Sequence, residues 1–185
     1  TPIAAVAFMM STTFYSVFVA QTLFPPPIHL EVGMAVVGIL STIGLTLQSV
    51  IDYPSGGLGD WIGQRWILFT SMIIYAAAMV MMWFAQASFM FFLVVYLLQA
   101  VAAAQQSGAV ASWFDTNYRV VAKDPKRSAY SVAQGRMGML FQITATISLI
   151  PGAVLAGLFG PRTVFLFQAL LLTIMGLGAL ALFRD

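Results

Sequence analysis

An all-α polytopic membrane protein with six transmembrane helices is the fold class this sequence predicts, on three observations. Of its 185 residues 61% are hydrophobic and 8% are charged, where a soluble domain of this size carries about a quarter. Eight Lys and Arg with six Asp and Glu cannot cover the surface of a 20.0 kDa globule, whereas a lipid-facing surface needs almost none. The apolar residues also come in continuous runs divided by short polar punctuation, and runs such as Ile67 to Ala85 lack the polar/apolar alternation of a membrane β-barrel. The composition excludes other chemistries as well. With no Cys there is no disulfide framework, thiolate metal site or cysteine nucleophile, and a single His builds no histidine metal cluster. No cofactor is expected. A net charge of +2 is explained by topology, below, rather than by a nucleic-acid partner.

At about 20 residues per crossing, the spans fall at about 3–23, 32–54, 66–86, 88–113, 129–158 and 162–183. Pro25, Pro26 and Pro27 end the first. Pro54-Ser55-Gly56-Gly57 reads as the end of the second and the start of a cytoplasmic loop over about 55–65. The third and fourth divide at Ala87-Ser88, because 66–113 is too long for one crossing, and a second cytoplasmic loop covers about 114–128. Gly160-Pro161 separates the fifth from the sixth. Lys and Arg of short loops stay cytoplasmic, and Arg65, Arg119, Lys123, Lys126, Arg127 and Arg184 share one side, against Arg162 on the other. Both ends of the segment are therefore expected in the cytoplasm, with the protein in a cell membrane. Because the first residue is Thr1 rather than Met, the segment is expected to begin inside a longer chain. Small residues at every fourth position, Ala100, Ala104, Gly108 and Ser112 in the fourth span and Gly152, Ala156 and Gly160 in the fifth, are expected to be helix-packing faces.

The loop after the second span reads DYPSGGLGDWIGQRW over residues 52–66. Its Gly56-x-Leu58-x-Asp60-x-x-Gly63-x-Arg65 resembles the cytoplasmic signature of the major facilitator superfamily, G-x-L-a-D-r-x-G-r-k, and it stands in the second loop of a six-helix array, where that family carries it. The residues have physical uses of their own. The glycines allow a tight turn, Asp60 fixes a negative charge near a helix start, and Arg65 offers a planar fork to a carboxylate, for which Asp115 at the end of the fourth span is the candidate. The resemblance implies that Asp60, Arg65 and Asp115 form a charge network holding one state closed on the cytoplasmic side. Trp61 and Gln64 stand where the signature is usually basic, so this network should be weaker than usual. Leu98-Gln99-Ala100 resembles the family's R-x-L-Q-G pattern with Tyr96 in the Arg position, which puts proton coupling through that span in doubt. Pro151-Gly152-x-x-x-Ala156-Gly157 resembles the antiporter motif only faintly, and the 160–166 run resembles the outward corner before the sixth helix, with Pro161 in place of Trp.

Ionisable groups inside a bilayer are costly and are functional candidates by default. Asp52 lies one turn inside the second span and Arg136 about seven residues, or about 10 Å, inside the fifth. They are candidate coupling or gating groups and a candidate pair, and each can also reach the cytoplasmic interface by snorkelling. Among uncharged polar residues, Tyr15 in the Ser11-Thr12-Thr13 region and Gln99 and Gln105 in the fourth span are the candidate substrate lining, since the resemblance implies that the first and fourth helices face the central cavity. Hydrogen bonding between helices is their other use.

The resemblance implies a secondary active transporter moving a small solute by alternating access, the segment being the N-terminal six-helix half of a twelve-span protein. Its expected partners are the lipid bilayer, a small-molecule substrate and a C-terminal six-helix bundle or a second copy. A non-transporting scaffold or sensor subunit is the alternative. An intramembrane serine protease needs a His base beside its nucleophile, and His29 stands in the Pro-rich outward loop.

Overall fold

The computed structural model describes residues 2–25, 30–122 and 129–182, and all the elements among them are helical. They are α1 (Pro2–Met9), α2 (Tyr15–Leu23), α3 (Leu30–Ile62), α4 (Gln64–Trp83), α5 (Phe89–Ala122), α6 (Tyr130–Phe159) and α7 (Pro161–Leu182). Five of these, α3 to α7, contain a stretch long and apolar enough to cross a bilayer. Large apolar side chains point outward along them. Leu158 on α6 is 71% exposed and Leu170 on α7 57%, an outside suited to hydrocarbon rather than water.

The register between elements fixes their directions. Gly44 lies against Tyr96 and Asp52 against Ser107, so α3 and α5 run parallel. Arg162 reaches Ala85 and Gly176 packs on Met72, so α4 and α7 run antiparallel. Residues Ala20 and Gly33 close an α2–α3 hairpin in which a Cβ on Gly33 would stand 2.9 Å from that of Ala20. The core lies between these helices. Phe165 of α7 is fully buried among the rings of Phe14, Tyr15 and Phe18, with centroids 5.1–6.0 Å away. Ala100 and Ala104, from the fourth-span stripe, are buried too.

Three expectations are corrected. The first concerns the single helix over about 3–23, which is two helices of 8 and 9 residues joined by a turn through Met10–Phe14. Neither is long enough to cross alone, at about 1.5 Å per residue. The amide of Met10 still donates to Val6, four residues back, but Thr12 donates to Met9, and Phe14 and Tyr15 both donate to Ser11. Two outside contacts hold the break. The buried Gln168 of α7 donates its side-chain amide to the Ala7 carbonyl at 3.0 Å. The Met10 carbonyl is pressed against Gly152 of α6, where a Cβ would collide with it. The hydroxyls of Ser11, Thr12 and Thr13 favour such a turn, because short polar side chains offer the backbone alternatives to the helical ladder.

The second correction is the loop over about 55–65, most of which is helix: α3 passes through Pro54 and ends at Ile62. Pro54 forfeits one bond, to the Val50 carbonyl, and it does so at the end of the apolar stretch Leu30–Asp52, where the helix on both sides keeps the rest of its ladder. Gly63 alone makes the reversal. Its φ of 98° lies in the region only glycine adopts freely. The Gly63 amide donates back to Gly59 at 3.1 Å to close α3, while its carbonyl accepts from Trp66 and Ile67 to start α4. Third, helix replaces the expected loop from 114 onward as far as Ala122, so α5 runs on beyond its apolar stretch Phe89–Val110. Rings close over that extension: Tyr130 of α6 stands 5.5 Å from Phe114 and 5.1 Å from Tyr118. Of the remaining expectations, those on Pro26, Pro27, His29, Lys123, Lys126, Arg127 and Arg184 lie outside the described residues.

Candidate functional site: a chain of polar cavities

Tyr15 begins α2 immediately after the break, and the packing of α5 against α3 and α4 brings Gln99 to it. The Tyr15 hydroxyl lies 2.9 Å from the Gln99 Nε2, which donates to it, and 3.2 Å from the Oε1, to which it can donate. Two sequence candidates 84 residues apart thus form one hydrogen-bonded pair. Around it stand the rings of Tyr96, 5.9 Å from Tyr15 and edge-on, and of Tyr75, which meets Phe8 edge-on at 5.0 Å.

Three cavities follow one another from this pair. One of about 190 Å³ lies at the helix break, lined by Ser11, Thr12, Tyr15, Ser16, Gln99 and two rings, Phe8 and Tyr75. Tyr75 and Gln99 also line the second, of about 340 Å³, with Ser41, Gln48 and Tyr96. Gln48 and Ala103 are shared in turn with the third, of about 460 Å³, which runs between α5 and α6 past Gln106, Ser107 and Gln134 to Phe114 and Tyr130. Neighbouring cavities share side chains, so the three lie in a row. The row starts at the broken helix and ends under the aromatic cluster.

The remaining candidates sit elsewhere. Gln105 lines none of these cavities; the Thr70 hydroxyl of α4 donates to its Oε1 at 3.3 Å, and its neighbour Gln106 lines the third. One residue of helix turns a side chain by about 100°, which here carries Gln105 toward α4 and Gln106 toward α6. Asp52 accepts from Ser107 at 2.7 Å, beside the third cavity. Arg136 is exposed on α6, and among the described residues no Asp52–Arg136 pair forms, because helical position places Arg136 away from α3. The motif divides. Gly63 makes the α3–α4 reversal, and the Arg65 guanidinium carbon lies 6.0 Å from the Trp66 ring centroid, at the edge of cation–π range. Gly56 belongs to α3, and the side chains of Leu58 and Asp60 lie outside the described ones. Asp115 is half-buried on the α5 extension.

Sequence reasoning missed Gln48, Ser41, Tyr75 and Gln134 along the row, and Gln168 behind the break. For Gln168 a signal was available: an amide inside the apolar run 164–182 has to find a partner within the bundle. Arg162, read only as the outward positive charge, donates to the Ala85 carbonyl at 3.2 Å, next to the C-terminal end of α4.

Among the described residues no group of His, Cys, Asp and Glu is arranged to hold a metal ion. Comparison with models of protein families matches residues 3–185 to the one described as Major Facilitator Superfamily. Comparison with curated proteins and with solved structures finds no match.

Proposed function

The chain belongs to the Major Facilitator Superfamily, and from that premise we propose that it is one bundle of a secondary active transporter that moves a small solute by alternating access. Membership makes it an integral membrane protein of a transporter family. One observation carries the finer reading: a row of three cavities, each setting hydroxyls and amides among apolar walls, whose neighbours share Gln99, Tyr75, Gln48 and Ala103. A packed scaffold has no use for a path of side-chain amides and hydroxyls that open into space, whereas a transporter needs polar groups that exchange water for solute. In this reading α1 and α2 together make the first of six crossings. A second six-helix bundle, or a second copy, covers the path, and both ends of the segment face the cytoplasm of the cell.

The aromatic cluster of Phe114, Tyr118 and Tyr130 narrows the cytoplasmic end, and the Asp60, Arg65 and Asp115 charges bias the bundle toward the closed state there. Asp52, held by Ser107 at the side of the path, is the candidate coupling group, and Arg136 a gating group at the interface.

The absence of Cys from these 185 residues makes the test direct. Single cysteines at Gln48 and Gln134 should react with a membrane-impermeant maleimide in intact membranes. Cysteines at Ile147 and Leu170, 60% and 57% exposed on the outer apolar faces, should not. Equal labelling of the two sets would defeat the reading.

A further inference from the structure

We propose that the path selects an uncharged solute bearing hydroxyl or amide groups and an apolar face, taken up between Tyr15, Gln99, Ser41 and Gln48. The inference rests on the transport reading and adds the solute class to it.

Every polar side chain described in the first two cavities is neutral: Ser11, Thr12, Tyr15, Ser16 and Gln99 in one, Ser41, Gln48, Tyr75 and Tyr96 in the other. Each is a hydroxyl or an amide, able both to donate and to accept. Such a wall matches a solute group that also does both. A carboxylate or an ammonium would find no opposite charge on this wall and would bring an unneutralised charge among buried apolar helices, at high cost. The Tyr15–Gln99 pair is built for exchange. Hydroxyl and amide approach in either sense, at 2.9 and 3.2 Å, so the bond can reverse its direction to leave either a donor or an acceptor for a neutral partner. The rings of Tyr15 and Tyr96, edge-on with centroids 5.9 Å apart, add flat apolar surface beside it. Asp52 is the nearest acidic residue, but it stands by the third cavity, where Ser107 donates to it, and lines neither of these two.

The competing occupant is an organic cation held on the tyrosine faces. Three methanethiosulfonate reagents of similar size separate these: the neutral hydroxyethyl, the cationic trimethylammonioethyl and the anionic sulfonatoethyl compounds. Each is applied to the full protein in membranes with a single cysteine at Ser41, a near-isosteric change, and at Ala103, which also lines the second cavity, and rates are divided by those with a small thiol in water. The neutral reagent should then react about tenfold faster than either charged one. Adding Gln48→Glu to the Ser41→Cys protein should carry the cationic reagent past the neutral one. A cationic or anionic reagent that matches or beats the neutral one in the parent overturns the neutral-solute inference while leaving transport intact, and so would a ranking that Gln48→Glu does not move. A charge supplied by a second bundle would show itself in this way. Failure of all three reagents at both positions overturns the water-filled path, and with it the transport reading.

Discussion

Gly152→Ala adds one methyl group at the place where the broken first span is held. The new Cβ would meet the Met10 carbonyl oxygen in collision and stand 2.7 Å from its carbon and 2.9 Å from the Met10 Cα. All three are backbone atoms, so no side-chain rotation relieves them. Carbon atoms rest at about 3.5–4.0 Å, so α1 has to withdraw from α6 by about 1 Å. Overpacking of this kind costs about 1–3 kcal/mol. Alanine also gains about 1 kcal/mol of helix propensity over glycine, and the comparison has to remove that gain. Gly138 and Gly157 lie on the same helix with nothing within 4 Å of their virtual Cβ atoms, so Gly138→Ala and Gly157→Ala carry the propensity gain without the clash. For a chain of this length 1 kcal/mol moves Tm by about 2–4 °C. Gly152→Ala should therefore melt about 2–12 °C below the two controls, measured in one detergent at one scan rate. A melting point equal to theirs would refute the claim that close backbone approach fixes α1, and with it the account of why the first span is broken.

Four further outcomes follow from the same geometry. Gln168→Leu removes the donor to the Ala7 carbonyl and should cost about 1–3 kcal/mol; combined with Gly152→Ala it should be non-additive in Tm, because both act on one segment. In a double-mutant cycle, Tyr15→Phe and Gln99→Leu should show a coupling of about 0.5–3 kcal/mol in unfolding free energy, and a value near zero would mean that their bond does not hold in the membrane. Arg162→Ala should lower stability by about 0.5–1.5 kcal/mol through the Ala85 carbonyl, seen as faster hydrogen exchange at the end of α4, with Arg162→Lys intermediate. Arg65→Ala should raise maleimide labelling of a cysteine at Gln48 from the cytoplasmic side by up to about fivefold, the ratio that a surface charge pair of about 1 kcal/mol can supply. An unchanged rate would remove Arg65 from conformational control.

Composition and order along the chain determined the class of this protein. So few charges admit a membrane and not a soluble globule, and continuous apolar runs admit helices and not a barrel, because in hydrocarbon the backbone must satisfy itself. That the motif's glycines make a reversal was legible, but which one was not: Gly63 has the positive φ that a turn between two helices needs, whereas Gly56 lies within α3. Tyr15 and Gln99 could be named as candidates because polar groups inside an apolar span need partners, but nothing local says that each is the other's. What lay beyond the sequence depended on neighbours. The helix through Pro54 loses one hydrogen bond and continues to Ile62, and the break at Met10–Phe14 is held by Gln168 and Gly152, some 140 residues or more later, against the backbone beside it. Which glutamine of the adjacent Gln105 and Gln106 faces the path was likewise decided by where α4 and α6 lie. Burial of an apolar run is a property of the run itself, whereas the partner of a polar group is a property of the helix packed beside it.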